Sequence, residues 1–538
     1  MVIQAQEYRN PRPLTPSMMS VDYLTIASAW LRQFTNSLVF FDIPQAVSCF
    51  HDTGFLRDVL RARQDCSIPR RKPAGRRNHR SVRLDDREYL SPEYTDATST
   101  IVSGFTFETA VGPGQGYFFL NPAAETGEWR AMGHEEAGPE DGVYGGHTLA
   151  WEDVARKRRM KIERDPHVLI IGGGQTGLNV GARFKQMNIP TLIVEKNARI
   201  GDNWRERYPT LTLHTIKRQH ALLYQDYSRT WPVFTPKDKL AHWLEQYAES
   251  ADLVVWTNSH PLPTPIYDPA AQRWTIVINR GGKHVTIHPI HIVVAAGTLG
   301  APLYPVIRDP TRFRGIAFHA AHYHGGAPFA GKHVVVIGAG NSAADICQDL
   351  SFHGARSVTM VQRSSTCVVS AANIRVKMER SWSEGMPTDA GLKLNMGPDG
   401  SGSYVLSLER FGGYWLDVGC AKLIREGKVA VKQGVEAARF TEDSLMFNDG
   451  SSLPADVVIY ATSYESIRDS MRALFSDRVI DRTSPVWGID DEGELRGCYR
   501  ASGHAGLWFA CGNFPVSRFY SKQLALQIKA IELRLYKM

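Results

Sequence analysis

His167-Val168-Leu169-Ile170-Ile171-Gly172-Gly173-Gly174-Gln175-Thr176-Gly177 runs from a short apolar stretch straight into a glycine-rich turn. The apolar run reads as a buried parallel strand. Leu178–Met187 follows with the spacing of a helix, and Thr191–Val194 is a second apolar strand that ends at Glu195. Strand, turn, helix and strand within about thirty residues form a βαβ unit, the context a dinucleotide-binding turn requires. Gly172 lets the chain turn sharply. Gly174 removes a side chain so that backbone N–H groups reach a pyrophosphate, and Gly177 keeps the helix close to the strand. Gln175 and Thr176 belong to the turn, and the helix N-terminus after it presents unpaired N–H donors and a partial positive charge.

The same plan recurs downstream. His333–Ile337 reads as a strand, Gly338-Ala339-Gly340-Asn341-Ser342-Ala343 as the turn, Ala344–Phe352 as the helix and Val358–Val361 as the next strand. The strand ends distinguish the two units. Glu195 lies 23 residues after Gly172, placed to accept hydrogen bonds from a ribose diol. Arg363, followed by Ser364, lies 25 residues after Gly338. A cation there suits a 2′-phosphate, so NADPH is expected over NADH at the second turn. An acid-ended site and a base-ended site in one chain suggest a flavoprotein fed by NADPH.

Length and composition fit this picture. The 538 residues predict three or four domains at roughly 150 residues each. A hydrophobic share of 43% and a charged share of 22% are those of an ordinary globular enzyme. The chain offers neither a run of about 18 apolar residues nor a signal-peptide pattern, so the expected compartment is the cytosol. The seven cysteines include no CxxC pair, which argues against a thiol redox centre or a zinc site, and no metal is expected. The net charge of +7 is matched by the seven basic residues between Ser67 and Leu84, which leaves the rest neutral. No general nucleic-acid surface is expected, and that segment reads as a solvated loop.

Residues 1–165 read as a separate region. Val21–Asn36 and Ile43–Arg63 have helical spacing, Ser103–Ala110 and Gly116–Leu120 are strand-like, and Leu149–Asp165 reads as a charged connecting helix. The expected class is α/β, with two Rossmann-like domains preceded by an α+β region. The expected boundaries are 166–325 for the first nucleotide domain, 326–455 for a second domain inserted into it, and 456–538 for the part that completes the first.

From residue 166 onward the sequence resembles class B flavin monooxygenases, on the branch that includes indole-3-pyruvate enzymes. The resemblance rests on four stretches. Phe313-Arg314-Gly315-Ile316-Ala317-Phe318-His319-Ala320-Ala321-His322-Tyr323 matches F-x-G-x-x-x-H-x-x-x-Y. Gly201-Asp202-Asn203-Trp204-Arg205 is similar to the flavin-proximal segment. Ala295-Ala296-Gly297-Thr298 and Tyr460-Ala461-Thr462-Ser463-Tyr464 resemble the two linker motifs usually written ATG. The resemblance implies FAD at the first turn, with Asn203, Trp204 and Arg205 beside it, and NADPH at the second, with Thr462 nearby. It implies that NADPH reduces FAD, that oxygen adds at C4a of the flavin, and that one oxygen atom enters a small organic substrate. Residues 1–165 are faintly similar to the NTF2-like cone found upstream in fungal relatives.

Two histidines stand out on this reading. His214 is expected either to help position NADP⁺ or the peroxyflavin, or to be a satisfied turn residue. His319 is expected at the seam between domains, either holding the hinge or positioning NADPH. Two residues depart from the motifs: Ser463 stands where the second linker motif has glycine, and Ala296 where the first has threonine. If position 463 needs a positive φ, serine there costs about 1 kcal/mol. The C-terminal Ser521–Ile531 reads as an amphipathic helix completing the FAD domain. Ser365–Gly413 reads as an insertion that either shapes the substrate pocket or is a surface excursion. Three alternatives stay open: a Baeyer–Villiger monooxygenase, an NADPH oxidase, and a non-catalytic flavin redox sensor with a basic arm. The oligomeric state is not legible.

Overall fold

The computed structural model describes residues 22–39, the strands 50–56, 81–84, 93–95, 100–109, 112–122 and 129–137, and residues 150–370, 392–395 and 402–532 apart from 229 and 492. The chain divides into two compact units, Met1–Asp141 and Gly142–Met538.

The first unit holds a helix, Tyr23–Val39, and a six-stranded sheet. The central strands Thr100–Thr109 and Gly112–Pro122 pair antiparallel, as do Gly112–Pro122 and Trp129–Ala137. Two sequence expectations are corrected here. Ile43–Arg63 is not one helix, because Phe50–Leu56 is a strand paired in parallel with Trp129–Ala137. Phe50, Thr53 and Phe55 favour a sheet and Gly54 weakens a helix, so pairing with a neighbouring strand wins over helical spacing. The rest of that span lies outside the described residues. The basic segment ends in structure rather than in a loop: Ser81–Leu84 pairs antiparallel with Thr100–Thr109. Val82 and Leu84 alternate with Ser81 and Arg83, the period of a strand. Residues 67–80 lie outside the described residues.

In the second unit two parallel sheets carry the two turns. The first sheet has the order Val254–Trp256, Thr191–Val194, Val168–Ile171, His291–Val294, Leu507–Phe509. Every neighbouring pair is parallel. Its central strands are buried along their whole length, which is why they read as unbroken apolar runs. The helix Trp151–Arg164 joins this sheet through buried Ile162, and Glu163 accepts a hydrogen bond from the Trp256 indole at 2.8 Å.

The second sheet runs Ile316–His319, Val457–Tyr460, His333–Ile337, Ser357–Gln362, Ala430–Gln433, again all parallel. It takes in strands on both sides of the expected 326–455 span. The chain returns to the first sheet only at Leu507–Phe509, so the second sheet is inserted into the first domain. Both helices begin earlier than their apolar spacing suggests, at Gln175 and Asn341, because the second glycine of each turn is already the N-cap. The C-terminal helix Phe514–Glu532 packs on Gln175–Gln186, where Asn179 Nδ2 donates to Ser517 Oγ at 2.8 Å. Among the described residues no helix is long and apolar enough to cross a membrane.

The chain crosses between the sheets twice, and the crossings are paired. Leu299–Pro302 on the outward path is antiparallel to Tyr464–Ser466 on the return. Each follows an ATG-like stretch. Ser463 has φ +74° and Gly297 φ +112°, so both stretches need a left-handed residue at the same place. Serine there carries a steric cost that glycine avoids. Ser463→Gly is therefore expected to stabilise the protein by about 1 kcal/mol, read as a higher urea midpoint with an unchanged slope. An unchanged or lower midpoint would count against strain at this position.

Candidate active site

The first turn is built by backbone approaching backbone. A Cβ on Gly172 (φ +109°) would lie 2.5 Å from the Ala295 carbonyl oxygen, and one on Gly177 would lie 1.9 Å from the Gly172 carbonyl oxygen. Neither position admits a side chain. Gly174 differs, for its Cβ would meet only Asn203 Nδ2 at 3.7 Å. That open space, at the N-cap of Gln175–Gln186, is the cradle a pyrophosphate would fill. Glu195 lies over it, buried, with Oε2 accepting Gly173 N–H at 2.8 Å and Oε1 accepting Asn197 N–H at 3.0 Å. Each oxygen retains a further lone pair for a ribose hydroxyl. Thr176 Oγ1 donates to the Gly512 carbonyl at 3.5 Å, tying the turn to the end of the last strand.

The segment Gly201–Arg205 flanks this cradle, and its three expected contacts part ways. Asn203 is exposed beside Gly174. Trp204 packs against both domain cores, and its indole N–H is buried without a partner among the described residues. A buried orphan donor at the seam suits a ligand acceptor. Arg205 is committed to the protein: its guanidinium pairs with Asp202 at 2.7 Å, with Glu245, and with the Ile200 carbonyl. Its Nε is buried without a partner among the described residues.

The second turn repeats the first. A Cβ on Gly338 (φ +129°) would lie 2.3 Å from the Ala461 carbonyl oxygen, while one on Gly340 would meet only Tyr414 O at 3.9 Å. Ala343 is fully buried, so a methyl fits where the first turn demands glycine. Ser342 is half-buried in the first helical turn. Asn341 Oδ1 accepts the Leu416 N–H at 2.9 Å. Arg363 stands at the end of Ser357–Gln362 with a side chain 74% exposed and a 3.4 Å contact to Glu436, and Ser364 beside it is exposed. Thr462 faces the linker, donating to the Leu303 carbonyl at 2.6 Å.

His319 is fully buried at the linker. Its Nδ1 accepts Ala321 N–H at 3.1 Å, so Nε2 carries the proton and donates to the Ser463 carbonyl at 3.1 Å. Tyr304 and Tyr464 stack edge-on against the ring. Burial holds its pKa below the ordinary histidine value, as a neutral ring with both nitrogens engaged requires. This geometry is that of a hinge residue. The other marks of the Phe313–Tyr323 stretch are also packing marks. Phe313 stacks on Phe440 at 4.9 Å, and a Cβ on Gly315 would meet the Asp456 carbonyl at 2.3 Å. Tyr323 donates to Asp349 at 2.7 Å.

His214, on the strand Thr212–Ile216, reaches across to the second turn. Its Nδ1 lies 3.3 Å from Asn341 Oδ1 and its Nε2 3.0 Å from Asp345 Oδ2. Tyr208 also donates to Asp345, and Thr210 donates to Asp349 at 2.9 Å. Sequence reasoning missed Asp345 and Asp349. The signal was available, because Asn341, Asp345 and Asp349 recur every four residues and so share one helix face. No polar partner was legible for them, since Tyr208, Thr210 and His214 come from more than 120 residues away.

Comparison with known proteins agrees with this geometry. A family model described as pyridine nucleotide-disulphide oxidoreductase matches residues 169–384. The chain is 28% identical over 319 residues to indole-3-pyruvate monooxygenase YUCCA1 of Oryza sativa subsp. japonica, covering 56% of this chain and 77% of that one. It is 28% identical to probable indole-3-pyruvate monooxygenase YUCCA9 of Arabidopsis thaliana, covering 59% and 79%. Among solved structures, the fold matches a flavin-containing monooxygenase from Stenotrophomonas maltophilia with a TM-score of 0.53 at 20% identity, over 68% of this chain and 99% of the other. The chain is thus similar in sequence and fold to flavin-dependent monooxygenases. Members of that family work with FAD and NADPH, and the two open cradles fit two dinucleotides. Cyclohexanone monooxygenase shares the fold, with a TM-score of 0.52 at 15% identity over 69% of this chain.

The glycines separate architecture from binding. Gly177→Ala is expected to destabilise the fold by several kcal/mol, on the order of 3, because its methyl would overlap a buried carbonyl. Gly174→Ala should fold with an unchanged thermal midpoint and lose bound flavin, seen as loss of the yellow absorbance. If Gly174→Ala kept its full flavin content, the cradle would be misplaced.

Proposed function

We propose that this protein is an NADPH- and FAD-dependent monooxygenase that inserts one oxygen atom into a small organic substrate. The observation that carries the reading is the pair of matching turns, each with a closed first glycine and an open second one, facing a common seam spanned by Trp204 and His214. When bound, the two dinucleotides supply hydride transfer and oxygen activation, and the protein supplies binding, orientation and exclusion of water.

Each residue has a defined task in this reading. Gly172, Gly174, Gln175, Thr176 and Gly177 hold the FAD pyrophosphate at a helix N-terminus, and Glu195 receives the ribose. Asn203 and the unpartnered Trp204 N–H offer donors at the flavin side. Gly338, Gly340, Asn341, Ser342 and Ala343 hold NADPH, with Arg363 and Ser364 on its 2′-phosphate. His319 and Thr462 set the hinge, and His214 orders the start of the NADPH helix. The named relatives act on indole-3-pyruvate, so an aromatic α-keto acid is the first substrate to try.

The decisive experiment uses the purified full chain. It should be yellow, bleach anaerobically with NADPH, and take up oxygen with little peroxide release when indole-3-pyruvate is present. Thioethers, amines and cyclic ketones form the comparison set, with products read by mass. A colourless protein that cannot be reconstituted with FAD overturns the reading, and stoichiometric peroxide with every substrate makes the protein an oxidase. Arg363→Ala is expected to raise KM for NADPH about tenfold or more, the equivalent of one charge-assisted phosphate contact, and to leave KM for NADH unchanged. Equal effects on both nucleotides would remove Arg363 from the site.

A further inference from the structure

The helix Asn341–Phe352 carries two carboxylates one turn apart, Asp345 and Asp349, facing the segment Tyr208–His214. Their surroundings differ. Asp349 accepts from the hydroxyls of Thr210 and Tyr323 and the N–H of Gly326, with His353 Nδ1 at a longer 3.4 Å. Asp345 takes the Tyr208 hydroxyl and lies 3.0 Å from His214 Nε2. The side chains of His214 and Asp345 are only 13% and 11% exposed, so solvent screens this pair weakly.

The second ring nitrogen fixes the charge state. Asn341 turns its oxygen to His214 Nδ1, and that orientation is set independently, because the same oxygen accepts the Leu416 N–H. Both nitrogens of His214 therefore face oxygens. Only an imidazolium offers N–H to both. Asn341 is the first residue of the helix after Gly340, so this cation is one contact from the place where a pyrophosphate would sit.

We propose that Asp345 is a positioning residue: it holds His214 as an imidazolium against Asn341, moderated by the Tyr208 hydroxyl on the same carboxylate oxygen, and so places a switchable positive charge at the mouth of the second dinucleotide turn. The proposal rests on reading that turn as the NADPH site. Tyr208, Asp345 and Leu416 then act on the nucleotide through His214 and Asn341 without touching it.

The charged neighbours of His214 fix the sign of its pH dependence. Burial by itself would lower its pKa. The hydrogen bond and charge of Asp345, the contact with Asn341 and the charge of Asp417 outweigh burial and raise it above the ordinary value. His220 opposes the charge weakly, because its own burial pushes its pKa down to about 3 and leaves it neutral. Arg207 and Asp349 act on Tyr208, whose phenol burial and Asp345 push far above its ordinary value, so it stays a donor. A raised histidine pKa means that the ring stays charged beyond the pH at which an ordinary histidine loses its proton, and that the charge is lost as pH rises through the folded value. NADP⁺ affinity should fall over that same interval.

Two measurements test this on the full chain. Histidine ¹⁵N NMR, with His214 assigned from H214Q, follows the ring in the absence of nucleotide. NADP⁺ titration across about pH 5.5 to 9.5 follows the consequence, a loss of roughly tenfold in affinity through the His214 midpoint. D345N should move both midpoints down. Y208F relieves Asp345 of a donor and should move both up. H214Q should remove the dependence and leave only the titration of the nucleotide's own phosphate near about pH 6, common to all variants. Opposite shifts from D345N and Y208F are not expected of residues that merely support the fold. Shifts in one direction, no shift, or a wild-type profile in H214Q overturns the proposal while NADP⁺ still binds. Failure of the wild type to bind NADP⁺ at any pH overturns the reading of the second turn, and the proposal with it.

Discussion

Both cofactor cradles depend on one backbone contact made twice. The carbonyl of Ala295 lies against Gly172, and the carbonyl of Ala461 lies against Gly338. At each place a Cβ would stand within 2.5 Å of a carbonyl oxygen, so the strand that leads into the turn and the strand that supplies the carbonyl can be neighbours only through glycine. Ala295 N–H donates to the Ile171 carbonyl at 2.9 Å and Ala461 N–H to the Ile337 carbonyl at 2.8 Å, which locks the register of the contact. The ATG-like stretches thus form the floor of the two sites before they form the linker.

That dual use couples binding to domain geometry. Two residues after Ala295 and Ala461 the chain enters the left-handed conformation at Gly297 and Ser463, and then the paired ribbon. His319 reads the return strand directly, because its Nε2 proton goes to the Ser463 carbonyl. A shift of one domain against the other must pass through the segments that touch the first glycines. Beside this crossing the polar contacts of Tyr208, Thr210 and His214 with Asp345 and Asp349 fasten the segment Tyr208–His214 to the helix Asn341–Phe352. Buried Asp349 can do this because both of its oxygens accept hydrogen bonds, and Asp345 because its Oδ2 takes the Tyr208 hydroxyl beside His214.

Much of the fold was legible because the two sheets are parallel and covered on both faces. Their strands read as short apolar runs, and the glycine turns mark where each begins its helix. The positions of Glu195 and Arg363 at strand ends were legible by spacing alone, since the second strand of a βαβ unit ends at a fixed distance from the turn. Ile43–Arg63 was misread because apolar residues in a short span satisfy helix and strand templates alike, and the choice fell to a partner strand, Trp129–Ala137, about 75 residues further on. Arg205 was placed in the cofactor site by its motif. Only the fold reveals that Asp202 and Glu245 pack around it and take its two terminal nitrogens.

The sequence by itself determined the two dinucleotide turns, their acidic and basic strand ends, and the insertion of one nucleotide domain in another. These are properties of local spacing, and local spacing is all that a strand, a turn and the first turn of a helix need. The tertiary structure decided which glycine is floor and which is cradle, because that depends on which carbonyl approaches from elsewhere in the chain. It also decided the charge state of His214 and the neutrality of His319. Two similar rings differ there only in their partners: oxygens on both sides of one, a backbone N–H on one side of the other.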